Sequence, residues 1–145
     1  MRITSFTDFG LRVLMYLAAT RGTAVSTGEI AATFDISQHH LAKVVRALAR
    51  GGFVQSQRGR NGGLSLGRQP QNITLGEVVR HLEQRIPLVE CFREDGGHCR
   101  LNPDCRLKSQ LAAAQEAFIN ELDKLTIEDC AWHRARAIHP PIIAE

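Results

Sequence analysis

Three of the four cysteines in the chain lie close together and are its strongest candidates for chemistry. Cys91, Cys99 and Cys105 fall within the stretch CFREDGGHCRLNPDC, whereas Cys130 lies well away from them. Soft thiolate ligands select zinc, copper(I) or iron–sulfur clusters. The gaps of seven and five residues within the triad do not match the closely spaced ligand pairs of structural zinc sites. Three thiolates on a long loop instead favour a larger group, such as an iron–sulfur cluster.

A triad of thiolates leaves such a cluster one ligand short, and the residues leave the identity of that ligand open. The local candidates are Glu94, Asp95, His98 and Asp104, and a residue of a second subunit is a further source. The alternative to a cluster is a zinc- or thiol-redox-responsive centre built on the same thiols.

The charge of the chain is unevenly distributed. Residues 1–68 carry nine basic and three acidic residues, a balance of +6, whereas residues 69–145 have a balance of −3. A basic first half is what a phosphate-binding module needs. We find no secretory signal and no apolar run of the roughly 20 residues that span a bilayer. We therefore expect a cytoplasmic protein with reduced cysteines and no membrane partner.

Two short helices joined by a tight turn indicate a DNA-binding element in this basic half. Ser26 and Ser37 are predicted N-caps of helices that reach about Phe34 and Arg50. The second helix has an apolar face and a basic face, which together describe a helix-turn-helix with a recognition helix. We expect its DNA contacts to come from Gln38 and His39 near base edges, and from Lys43 and Arg46.

A β-hairpin follows the helix-turn-helix directly and is predicted to be a wing. Strands are expected over Phe53–Gln57 and Leu64–Leu66, and the Asn-Gly pair between them is a strong hairpin signal because its turn needs positive φ. Arg58, Arg60 and Asn61 lie at its tip and are further candidates for DNA contacts.

Capping signals predict the helices on either side of this element. The first helix is expected to start at Ser5, with Asp8 as its capping-box acid. The fourth is expected to be capped by Thr74 with Glu77 as its acid, and Pro87 limits its length.

A fifth helix is predicted to begin at Asn102-Pro103-Asp104. Cys105 would then lie in its first turn, where amide groups and the helix dipole favour an anionic cluster. Its apolar residues repeat with a coiled-coil-like spacing that predicts pairing with a second copy of the chain: Leu107, Leu111, Ala114, Phe118, Leu122 and Leu125. A last helix is expected from Thr126 and includes Trp132.

These elements predict a mainly α fold. Residues 1–72 would form a winged helix-turn-helix DNA-binding region. Residues 73–145 would hold the cysteine loop and a long C-terminal dimerisation helix, intertwined in a dimer. No histidine–acid pair stands at a recognisable nucleophile spacing, so we do not expect an enzyme.

Four stretches of the sequence resemble the NsrR family of nitric-oxide-sensing repressors, within a superfamily of dimeric winged-helix regulators that also includes IscR. They are TSFTDFGLRVLMYLA, RGRNGGLSLG, LVECF and CRLNPDCRLKSQL, and the resemblance extends to about residue 130. Lys108 stands where IscR-like proteins place a histidine, and Arg12 follows Asp8 where another branch has a histidine. Both differences favour the nitric-oxide-sensing branch.

The resemblance implies a homodimeric repressor that binds double-stranded operator DNA and a 4Fe-4S or 2Fe-2S cluster. It implies that nitric oxide attacks the cluster and releases the operator. Cys91, Cys99 and Cys105 would hold the cluster, and Asp8 of the other subunit would complete it, with Arg12 beside it. The residues alone favour a simpler role for Asp8, which is capping its helix and pairing with Arg12 one turn away.

Overall fold

The computed structural model describes residues 2–20, 23–57, 59, 62–84, 86–101 and 104–131. Within them the chain is mainly helical, with one small antiparallel sheet and two short 3-10 turns, at Pro70–Asn72 and Glu90–Phe92. The elements in chain order are α1 (Ser5–Ala19), α2 (Thr27–Phe34), α3 (Gln38–Arg50), β1 (Val54–Gln57), β2 (Gly63–Leu66), α4 (Leu75–Glu83) and α5 (Arg106–Leu122). The predicted order of helix-turn-helix, hairpin and two further helices is confirmed.

Three of the predicted N-caps are confirmed. The hydroxyls of Ser26, Ser37 and Thr74 each accept a hydrogen bond from the amide three residues later, at 3.1, 3.2 and 3.1 Å. The two capping-box acids do not reach back to their caps. Glu29 accepts a hydrogen bond from the Tyr16 hydroxyl at 2.6 Å. Glu77 pairs with Arg68 at 2.9 Å. Each acid therefore binds a residue outside its own helix instead of the amide of its N-cap.

The cap of α1 differs from the prediction. The helix does begin at Ser5, but its N-cap is Thr4, whose extended backbone lets its hydroxyl accept from the Thr7 amide at 3.3 Å. The third residue after the cap is therefore Thr7 and not Asp8. The predicted capping role of Asp8 is wrong.

One hydrophobic core holds the DNA-binding element against the flanking helices. α1 packs against both α3 and α4, and the fully buried residues include Leu14 of α1, Leu48 of α3 and Val78 of α4. Ile73 and Ile127 belong to the same core, so residues on both sides of position 72 share it. The position of α3 consequently depends on α1 and α4.

The hairpin is anchored by a contact that the sequence analysis did not predict. β1 pairs with β2 from Val54 opposite Leu66 to Gln57 opposite Gly63. Val25, just before α2, forms two further backbone hydrogen bonds with Leu64, at 2.7 and 3.0 Å. A Cβ on Gly63 would lie 2.8 Å from the Val25 carbonyl oxygen, so this close approach needs glycine.

The long helix starts later than predicted. α5 begins at Arg106, and Cys105 is its N-cap instead of lying in its first turn, because the Cys105 backbone is extended (φ −78°, ψ 108°). Asn102 and Pro103 lie outside the described residues. At the other end, Thr126 and Asp129 form a reciprocal capping pair. The residues that follow it, 127–130, form turns, so the helix predicted to begin at Thr126 is not present up to residue 131, and Trp132 lies outside the described residues.

Candidate metal centre and nucleic-acid interface

Two of the three clustered cysteines face the same cavity. Cys91 and Cys105 line a cavity of about 860 Å³ between α4, α5 and the segment that joins them. Its other walls include Glu83 at the end of α4, Phe92, and Lys108 in the first turn of α5. The fold thus brings together thiols that are fourteen positions apart in the sequence.

Cys99 is half-buried on the same loop but does not line this cavity. Within the described part of the chain, no three histidine, cysteine or acidic side chains are grouped closely enough to hold a metal ion. Gly96 and Gly97 adopt positive φ angles, and a Cβ on Gly97 would lie 2.8 Å from the backbone oxygen of Glu90. The Glu90 carboxylate also accepts the His98 amide at 2.9 Å. The two glycines therefore fold the loop back on Glu90.

The donor set fits a thiolate-bound cluster. All four cysteines are free thiols. Cys105 stands at the N-terminus of α5 and makes no capping bond with its side chain. The amide groups of a helix N-terminus and its dipole favour an anionic ligand set. Burial, and then Asp129, raise the pKa of the Cys130 thiol, which disfavours the thiolate form that binds metals.

Asp8 is a half-exposed residue of α1 and is not among the residues that line the cavity of its own chain. Its carboxylate pairs with the Arg12 guanidinium at 2.7 Å, and both side chains are nearly half exposed. The predicted pairing with Arg12 is confirmed.

The recognition helix carries its predicted polar residues on the outside. Gln38, His39, Lys43 and Arg46 are all exposed, while the opposite face of α3 is buried in the core. The Arg46 Nε donates to the Ala42 carbonyl at 3.3 Å, so its side chain lies along the helix surface. Arg58, Arg60 and Asn61 of the wing lie outside the described residues.

Two residues of α4 make contacts that the sequence analysis missed. A ring nitrogen of His81 lies 2.9 Å from the Ala47 carbonyl oxygen, near the C-terminal end of the recognition helix. Glu83 accepts two hydrogen bonds from Thr4, at 2.9 and 2.7 Å. The sequence contained one signal that could have indicated the contact of Glu83. An acid in the last turn of a helix is disfavoured by that helix's own dipole, which suggests a partner elsewhere.

No helix in the described part of the chain has both the length and the apolar composition that crossing a bilayer requires.

Comparison with known proteins gives similarities that cover nearly the whole chain. Residues 3–132 match the Rrf2 family, described as "Iron-dependent Transcriptional regulator". The chain is 43% identical to the HTH-type transcriptional regulator NsrR of Geobacillus kaustophilus (strain HTA426), over 93% of this chain and 92% of the relative. It is 44% identical to the regulator of the same name from Bacillus licheniformis, over 89% and 91%.

Solved structures give the same fold. CymR, the global cysteine regulator of B. subtilis, superposes with a TM-score of 0.73 and 33% identity, over 90% of this chain and 96% of that one. IscR of T. potens superposes with a TM-score of 0.70 and 25% identity, over 89% and 85%.

Proposed function

This chain belongs to the Rrf2 family of transcriptional regulators, and we propose that it is a homodimeric iron–sulfur repressor that senses nitric oxide. The observation that carries the proposal is the pair of free thiols, Cys91 and Cys105, that face one cavity beside the start of α5. The third thiol, Cys99, lies on the loop between them. The likeness to regulators named NsrR over nearly the whole chain supports this reading.

The DNA-binding half works through the exposed face of α3 and the wing. Lys43 and Arg46 offer cations to backbone phosphates, and Gln38 and His39 stand near the start of α3, where side chains reach base edges. Arg58, Arg60 and Asn61 at the hairpin tip add wing contacts in this proposal. Residues 1–72 thus bind the operator, and residues 73–145 hold the cluster and the dimer interface.

Cys91, Cys99 and Cys105 hold the cluster, and Asp8 of a second subunit adds an oxygen ligand. A bound cluster supplies iron with which nitric oxide reacts. A carboxylate is a harder ligand than a thiolate, so it is the weaker partner of such iron. Asp8 is exposed and is not needed for capping, and Arg12 is positioned to hold its carboxylate when it is released. Because α1 packs against α3, a shift of α1 moves the recognition helix.

The outer face of α5 supports the dimer. In the single chain only Ile119 of this helix is buried, while Leu107 is 63% exposed. Leu125, just beyond the helix, is 46% exposed. A second copy that covers this apolar seam would remove it from water and place two DNA-binding heads about a two-fold axis.

The proposal is tested on protein isolated without oxygen. We expect iron and sulfide in the protein and a visible absorption spectrum. Serine at Cys91, Cys99 or Cys105 should abolish or strongly weaken that spectrum, whereas Cys130→Ser should leave it intact. Zinc or no metal in place of iron and sulfide, or bleaching by Cys130→Ser alone, would overturn the proposal.

A further inference from the structure

The carboxylate of Glu83 completes the N-terminal cap of α1 from a distant part of the chain. In a capping box, an acid three residues after the N-cap accepts the N-cap amide. In α1 that position is Thr7, which has no carboxylate. Oε1 of Glu83 takes its place, accepting the Thr4 amide at 2.9 Å and the Thr4 hydroxyl at 2.7 Å.

The position of Glu83 suits α1 and not the helix to which it belongs. Glu83 is the last residue of α4, where the carbonyl end of the helix dipole disfavours an acid. The same charge lies at the amide end of α1, where the helix dipole favours it. Thr4 and Glu83 are only partly buried, yet both of these hydrogen bonds are charge-assisted and of normal length.

Glu83 also belongs to the wall of the cavity that Cys91 and Cys105 line. It ends α4, and the chain from it leads directly through residues 84–90 to Cys91. The same residue therefore lines the candidate cluster cavity and, through its carboxylate, contacts Thr4, the residue just before α1. Glu116 of α5 is the other acidic residue that lines this cavity in the described part of the chain. It has no hydrogen bond to α1 among the described contacts, so it serves as the comparison.

From these contacts we propose that Glu83 is a positioning residue that couples the cysteine cavity to the DNA-binding head within one subunit. It holds the start of α1, and α1 in turn packs against the recognition helix. A change in the cavity that displaces the end of α4 is thereby passed to α1 and α3. This inference rests on the proposed function and adds to it an intrasubunit route beside the one through Asp8.

The test uses full-length protein with Glu83→Ala, Glu83→Gln and, as the matched control, Glu116→Ala. The DNA probe is a duplex selected by the wild-type protein from a random-sequence library. The first measurement is the ratio of duplex affinities between cluster-loaded protein and the same protein after nitric oxide. We expect Glu83→Ala to keep its cluster and to shrink this ratio by about tenfold. Glu83→Gln, which keeps an acceptor oxygen, should fall between it and the wild type, and Glu116→Ala should match the wild type.

The second measurement does not require the cluster. Residue-resolved amide exchange in protein without metal should be at least about tenfold faster at Thr4 in Glu83→Ala, and unchanged in Glu116→Ala.

Unchanged exchange, or an affinity loss that is equal before and after nitric oxide, would reduce Glu83 to an ordinary structural contact and overturn the inference. Loss of the cluster in Glu83→Ala would also overturn it, because Glu83 would then be a ligand. If Glu83→Ala does not fold, Glu83→Gln decides between these outcomes, and if neither variant folds the positioning role is refuted.

A wild-type protein that holds no cluster contradicts the proposed function but leaves the exchange result at Thr4 standing. A wild-type protein with a cluster and a normal nitric oxide response, combined with an unaltered ratio in Glu83→Ala, contradicts only the inference. The two failures are therefore distinguishable.

Discussion

At the scale of single residues, the contacts of Asp8 determine how much stability the protein can lose when this side chain is removed. Its carboxylate makes an exposed ion pair with Arg12 and takes no part in the cap of α1, which Thr4 and Glu83 form. An exposed i,i+4 pair contributes only about 0.3–0.5 kcal/mol to stability. Large effects of removing Asp8 would therefore not come from loss of folding.

We predict that Asp8→Ala lowers the free energy of unfolding by less than about 0.5 kcal/mol, as measured by urea denaturation of metal-free protein. In cluster-loaded protein, the same variant should change the absorption spectrum and the kinetics of the nitric oxide reaction, because an oxygen ligand is lost. Arg12→Ala, which removes the same ion pair but no ligand, is the control. Should Asp8→Ala keep the wild-type spectrum at full cluster occupancy, Asp8 is not a ligand.

At the scale of elements, hydrogen bonds and an ion pair hold the start of α4 against the end of α5. The Asp123 carboxylate accepts a hydrogen bond from the Thr74 hydroxyl at 2.9 Å and pairs with the Arg80 guanidinium in a two-pronged contact. The Leu75 amide donates to the Leu125 carbonyl at 2.9 Å. This junction fixes the angle between the two helices that form the cysteine cavity.

The junction leaves no room for a side chain at Gly76, the second residue of α4. An added Cβ would lie 2.2 Å from Asp123 Oδ1 and 2.8 Å from the Ile119 carbonyl oxygen. We predict that Gly76→Ala destabilises the protein by about 1–3 kcal/mol, because the helices must move apart. Gly28 is the matched control, since it is also the second residue of a capped helix and its added Cβ would meet only ordinary contacts at 3.7 Å or more. Gly28→Ala should be neutral or stabilising by up to about 1 kcal/mol in the same denaturation experiment.

The ion pair of the junction predicts a dependence of stability on pH. The hydrogen bond from Arg80, and then the one from Thr74, lower the pKa of Asp123 below its ordinary value. The folded state therefore binds the Asp123 proton less readily than the unfolded state does. The resulting stabilisation is present above about pH 4 and is lost as the pH falls through the lower, folded-state pKa.

Asp123→Asn removes this titration while keeping the shape of the side chain. The stability difference between wild type and Asp123→Asn should therefore be largest near pH 7 and should shrink below about pH 4. Thermal unfolding of the two proteins between pH 7 and pH 3 measures it. A difference that stays constant over this range would show that Asp123 contributes no pH-dependent stability.

At the scale of the whole molecule, the outward face of α5 predicts pairing with a second copy of the chain. This helix is seventeen residues long and has a single buried residue, Ile119, which faces its own chain. The seam that contains Leu107, Leu111 and Phe118 is left partly or largely exposed. An apolar stripe of this length on an otherwise exposed helix is typical of an interface.

We predict that Leu111→Glu yields a folded monomer, because an unpaired carboxylate in the interface would weaken dimerisation by at least about a hundredfold. Sedimentation would measure the mass, and circular dichroism the retained helix. Ala113→Glu places the same charge on an exposed position of the opposite side of α5 and should leave the mass unchanged. If the wild-type protein sediments as a monomer and still binds its operator tightly, the dimer model fails.

The sequence by itself determined the helices α1 to α5 and the caps at Ser26, Ser37 and Thr74, and it marked the exposed basic face of α3. Those features depend on residues three or four positions apart, so propensity, capping and helical spacing are sufficient to predict them. The cap of α1 was predicted incorrectly. The carboxylate that completes this cap belongs to Glu83, which lies 79 positions further along the chain. The pairing of Val25 with Leu64 and the meeting of Cys91 and Cys105 at one cavity were likewise decided by tertiary structure. Such contacts form only when burial of the shared core brings distant segments together, and no local pattern specifies which segments will meet.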